Sequence, residues 1–258
     1  MNEKTINEQY AYIRTLLEEK RLKEALMQLE SLLWQCPDWD LRTRLEQLQT
    51  SYKYMLEYMK QGANDPDRWN LYQKMVADTW GIADQSRLLI LDNASSRYYH
   101  EVRRTPRSAD LSNYGIKTIL HILESFNDDL AVSGLLSDEK MDEVLRRHED
   151  TLKFMFIRTW TNSAWTPEDE EDAKAMLASE LLPGDDLCLF VSALTLSLME
   201  CFDIRKIMWL LNAYEHPNVN VSQRALVGVI FIFYIHRTRL LYYPELIKRV
   251  DLMDEIPS

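Results

Sequence analysis

Six glycines and eight prolines in a chain of 258 residues leave few places to turn. An all-β chain needs turn residues every few positions, so their scarcity favours long helices. The apolar residues follow the same logic. Leu22, Ala25, Leu26, Leu29, Leu32, Leu33 and Cys36 share one helical stripe, and Pro37 stops that helix. Leu41, Leu45, Leu48, Tyr52, Met55 and Met59 form a longer stripe in alternating steps of four and three. Met141, Val144, Leu145, His148, Leu152, Met155, Phe156 and Trp160 line one face of a helix starting at Ser137.

Start signals sit between the stripes. Thr5-Ile6-Asn7-Glu8 and Thr166-Pro167-Glu168-Asp169 have the form of capping boxes. Asp65-Pro66 pairs an N-cap carboxylate with proline at the first helical position, opening a helix that runs past Gly81 to about Tyr99. The stretch 102–114 holds Pro106 and polar residues and reads as a loop, followed by a helix over 115–126. Pro183 and Gly184 end another helix, and 186–200, 204–214, 219–235 and 244–251 follow as helix, turn, helix. The expected fold class is all-α, with antiparallel helix pairs stacked as an irregular α-solenoid. The expected organisation is an N-terminal helical region over 1–100, a loop-rich connection with one helix over 101–136, and a C-terminal helical region over 137–258, packed as one continuous body.

The run 225–235 is the most apolar part of the chain. It is far shorter than the about 20 residues that span a bilayer. Arg224 precedes it, and His236, Arg237 and Arg239 follow. Val227, Val229, Ile230 and Ile232 would suit a strand, yet no pairing strand is evident nearby. The spacing predicts a helix buried on most faces, with Ala225 and Gly228 small enough to admit a close neighbour.

Two resemblances emerge from these residues. Ala25, Leu29, Leu32 and Pro37 sit where the second half of a tetratricopeptide repeat places its small residue, core residues and terminal proline. The first half, around Tyr10 to Glu19, lacks the motif's Trp and Gly, so 10–37 resembles one degenerate repeat. The stretch 211–228, a helix, the turn HPNVNV and a helix opening with Val221, Ala225 and Gly228, resembles a HEAT or armadillo-type unit, with Ser222 where that family often has arginine. A 34-residue offset sets Leu187 against Val221, Val191 against Ala225 and Leu196 against Ile230, and periods of this length mark helical solenoids. The resemblance implies protein binding without catalysis over 183–251 and near the N-terminus.

Charge and chemistry narrow the function further. A formal net charge of -11 opposes phosphate backbones, so nucleic acid is not the expected ligand. Cys36, Cys188 and Cys201 form no CxxC pair, and the last two read as inert core thiols. The polar start MNEKTINEQY has no signal-peptide apolar region, and the cytoplasm is the expected location. No GxGxxG, GxxxxGK[ST] or GxSxG occurs. The five histidines form no HExxH. His148 falls on an apolar helical face and reads as a hydrogen-bonded core residue, while consecutive Glu149 and Asp150 point elsewhere. The acidic run from Glu168 to Asp172 reads as a solvated helix start. No catalytic, cofactor-binding or metal-ligating residue is assigned.

One cluster stands out for partner binding. Arg97, Tyr98, Tyr99, His100, Arg103, Arg104 and Arg107 concentrate positive charge and aromatics in an acidic chain. Arg and Tyr are enriched at protein interfaces, and loops carry function more often than scaffolds. The sharp reading is recruitment of an acidic protein or peptide, with Arg103, Arg104 and Arg107 as anchors. The plain reading is helix capping and local pairing with Asp and Glu. The expected function is a non-catalytic helical-repeat module for protein interaction or scaffolding. Its alternatives are a structural segment of a larger complex or homo-oligomer, and an α-helical enzyme or small-ligand binder.

Overall fold

The computed structural model describes residues 2–62, 65–105, 114–134 and 138–254. Every described element is helical. The chain divides into two compact units, one of Met1–Arg104 with His236–Ser258 and one of Thr105–Ile235.

The first unit holds α1 (Glu3–Glu18), α2 (Leu22–Leu33), α3 (Trp39–Lys60), α4 (Arg68–Ala94), α5 (Tyr98–Arg104), a short 3-10 turn (Leu240–Tyr242) and α13 (Pro244–Asp254). Asn2 caps α1, its side chain accepting from the Thr5 amide at 2.9 Å. The helix therefore begins before the expected box at Thr5. The stripe from Leu22 to Cys36 is buried throughout, against Ile6, Ile13, Leu16 and Leu17 of α1 and Met75, Val76, Trp80 and Ala83 of α4. Each such aliphatic side chain contributes about 1.5–3 kcal/mol on burial. The α3 stripe buries Leu41, Leu45, Leu48 and Met55, but Met59 in the last turn is exposed.

Two expectations about α4 change. Asp65 accepts from the Asp67 amide at 2.9 Å, so it shapes the turn ahead of the helix, which starts at Arg68. At the other end α4 stops at Ala94. Ser95 bonds Glu3 through its hydroxyl at 2.8 Å and accepts from the Arg97 amide at 3.1 Å, a local competitor for the backbone. Beyond this break the chain resumes as a separate helix, α5. Gly81 lies inside α4, where an added Cβ would meet nothing within 4 Å.

The second unit holds α6 (Ile116–Glu124), α7 (Phe126–Gly134), α8 (Asp138–Thr161), α9 (Pro167–Ala178), α10 (Gly184–Glu200), α11 (Ile204–Tyr214) and α12 (Val219–His236, to Ile235). The capping box of α9 is complete: Thr166 Oγ1 accepts from the Asp169 amide at 3.1 Å, and the Asp169 carboxylate accepts from the Thr166 amide at 3.0 Å. Trp165, Phe190 and Trp209 pack ring on ring, with centroids 5.1 Å apart for the last two. Trp209 Nε1 donates to the Ala173 carbonyl at 2.7 Å, which satisfies its polar end in the core. Lys206 is fully buried; its Nζ donates to the Asn162 carbonyl at 2.5 Å and to Ser197 Oγ at 2.9 Å. Asn162 follows the last residue of α8, so the ammonium meets the negative end of that helix.

Helix α12 departs from the expectation of burial on most faces. Only Val221, Ala225, Gly228 and Ile232 are buried along it. The close approach itself is present: a Cβ on Gly228 would lie 2.5 Å from Thr195 Oγ1 and 3.2 Å from Leu210 Cδ2. Composition marks apolarity, but only neighbours confer burial, and α12 has them on one narrow face.

Candidate interaction surfaces

The arginine–tyrosine cluster divides in two. Tyr99 and His100 are buried, and His100 Nδ1 lies 2.8 Å from Asp92 Oδ1. Arg103 Nε donates to both Asp92 oxygens at 3.0 Å, and its guanidinium lies 5.7 Å from the Tyr99 ring centre. Burial pushes the Asp92 carboxyl up, but the bonds from His100 and Arg103 outweigh it and hold the group below the usual aspartate range. Arg97, Tyr98 and Arg104 remain exposed, and Arg107 lies outside the described residues. Asp92 organises the inner half. Sequence reading passes over it because the break at Ser95 is what turns α5 back onto it.

Other buried charges are held in separate small sets. In the first unit Asp84 accepts from the Tyr10 hydroxyl at 2.5 Å and from Arg239 Nη1 at 2.6 Å, with the Arg239 guanidinium 4.9 Å from the Trp80 ring centre. Burial drives the Asp84 carboxyl up, and Arg239 and Tyr10 more than reverse it, leaving the group below its ordinary value. In the second unit His148 is half-buried; its Nε2 lies 3.3 Å from Asp186 Oδ2 and its ring stacks on Phe126 at 3.7 Å. Burial pushes the Asp186 carboxyl up against the opposing pull of His148. Among the described residues no group of three His, Cys, Asp or Glu is placed to hold a metal ion.

A different surface emerges at the joint between α2 and α3. Trp34 caps the end of α2 and Trp39 opens α3, with side chains 74% and 77% exposed. Arg42 lies 5.9 Å from the Trp34 ring centre and 5.0 Å from the Trp39 ring centre. Its Nη2 donates to the Cys36 carbonyl at 3.0 Å, which fixes the guanidinium on the turn. Beside it opens a cavity of about 220 Å³, with Leu33 and Leu45 on its floor and Glu30, Glu46 and Gln49 at its edge. Gln49 Nε2 donates to Glu30 at 3.1 Å. Two indoles held this far into water by a turn lose hydrophobic stabilisation that a partner would restore. The sequence carries the signal, since Trp34 and Trp39 fall off both flanking apolar stripes.

Comparison with protein-family models, with curated proteins and with solved structures found no match.

Proposed function

We propose that the chain is a non-catalytic helical-repeat module that binds another protein, its helix pairs stacked as an irregular solenoid. The observation that carries this reading is the exposed Trp34–Arg42–Trp39 platform beside its apolar-floored cavity. Trp and Arg are the residues most often dominant in binding energy, and a bulky apolar side chain of the partner fits the cavity between them. Glu30 and Glu46 at the edge favour a segment with positive charge next to that side chain. The buried titratable groups fall into separate sets, Asp84 with Tyr10 and Arg239, Asp92 with His100 and Arg103, and Asp186 beside His148, each spent on its own members, which supports binding over catalysis.

The test is photocrosslinking in the native host from a reactive residue at Gln49. Adducts that vanish in Trp34→Ala/Trp39→Ala, with melting temperature unchanged, support the reading. Adducts that persist in that variant, or none at all, overturn it. A second reading, a subunit of a homo-oligomer, draws support from the exposed face of α12.

A further inference from the structure

At 3.6 residues per turn, Val221, Ala225, Gly228 and Ile232 fall within an arc of about 60° on α12. That is the face seated on Thr195 and Leu210. The opposite face carries Leu226, Val227, Ile230, Phe231 and Tyr234, the last four more than half exposed. Its polar members are the uncharged Asn220 and Gln223, and Arg224 at its margin donates to Ser192 Oγ at 2.9 Å. A monomeric soluble protein rarely leaves so continuous an apolar stripe in water.

We propose that this stripe is the contact between two copies of the chain, packed face to face about a two-fold axis with the α12 helices antiparallel. Three arguments select the occupant. The stripe holds no charge for a partner of opposite sign to read, so its complement is another uncharged apolar stripe. Every second copy carries one, and an isologous contact closes at the dimer. The spacing Val227, Ile230, Tyr234 runs in steps of three and four with Leu226 and Phe231 alongside, the pattern of a two-helix seam. The area is sufficient as well. These side chains with Val219 expose on the order of 600–700 Å², close to the ~800 Å² per partner of a standard interface. A bilayer is the weaker occupant. The other face of α12 is fixed to α10 and α11, so the helix cannot enter a bilayer by itself.

The experiment is sedimentation equilibrium of the full chain from micromolar to near-millimolar concentration. A dimer is expected, and Ile230→Glu and Phe231→Glu should each shift it to monomer with circular dichroism and melting temperature retained. Val227→Cys, near the axis, should give a disulfide-linked dimer on mild oxidation, because Cys36, Cys188 and Cys201 are buried. Tyr98→Cys should not. Trp34→Ala/Trp39→Ala should leave the dimer intact, which separates this contact from the proposed binding surface. A wild-type monomer at the highest concentration, an open-ended polymer, or a dimer indifferent to both glutamate variants overturns the proposal. Release of lipid-vesicle contents by the wild type without dimerisation overturns it in favour of a membrane.

Discussion

Asp84 and Arg239 stand 155 positions apart in sequence and 2.6 Å apart in space, both almost wholly buried. The pair ties the segment after α12 to the middle of α4 within the first unit. Tyr10 of α1 holds the second carboxylate oxygen, so three distant stretches meet on one carboxyl group. Such a pair is weak evidence of net stability, because two charges must be stripped of water, but it strongly penalises any arrangement that separates them.

Asp84→Asn keeps the shape and removes the charge, leaving the Arg239 guanidinium buried without its counter-ion. A loss of about 3–5 kcal/mol is expected, read as a lower urea midpoint. Adding Arg239→Met should cost less than the two single changes summed, since the second removes the charge stranded by the first. Additive losses would show that the pair is not coupled.

Acid should expose a contrast between two buried aspartates. Asp84 is held below the ordinary aspartate range, so the unfolded chain takes up its proton first as pH falls. Its contribution is complete above about pH 4, the unfolded value, and declines as pH drops through the folded one. Asp186 is raised, so the folded state binds its proton first, and its contribution grows as pH falls toward that range. The melting-temperature gap between wild type and Asp84→Asn should therefore shrink on acidification. Asp186→Asn should melt no lower than wild type at neutral pH and lose any advantage in acid. Parallel curves for the two variants would contradict these directions.

Two helical glycines should answer the same substitution with opposite sign. Gly228→Ala places a methyl 2.5 Å from Thr195 Oγ1 and should cost about 1–3 kcal/mol through overpacking. Gly81→Ala meets nothing within 4 Å and gains helix propensity, so it should stabilise by about 0.5–1 kcal/mol. Thermal melts of both check the assignment, and a stabilised Gly228→Ala would refute the close approach.

Legibility in the sequence depends on how local each signal is. The Leu22–Cys36 stripe and the Thr166–Asp169 box involve residues within a few turns of each other, and the structure contains both. The all-helical class rests on the same local periodicities. The pairing of Asp84 with Arg239 has no local trace, because no spacing links residues on separate helices. The bare face of α12 escapes sequence reading for a related reason: an apolar residue states a preference for burial, and the neighbours that grant it lie elsewhere in the chain. Trp34 and Trp39 are visible as residues off the stripes, but a stripe-based reading spends its attention on the core.

The arginines beyond Ser95 supply the last prediction, because geometry splits a cluster that sequence treats as uniform. Arg103 spends its Nε on Asp92 and covers Tyr99. Arg103→Glu would set a second carboxylate against Asp92 in a largely buried place and remove the guanidinium that pairs with it. A loss on the order of 2–4 kcal/mol is expected, somewhat under that of a wholly buried pair because some solvent reaches Arg103. Arg104→Glu changes an exposed position and should stay within about 0.5 kcal/mol. Charge reversal across the whole cluster would thus confound folding with binding. Arg97→Glu/Arg104→Glu is the informative pair, with melting temperature measured beside partner recovery at rising salt. If Arg103→Glu melts like wild type, the inward pairing with Asp92 does not hold, and the three arginines return to equal standing as anchors for an acidic partner.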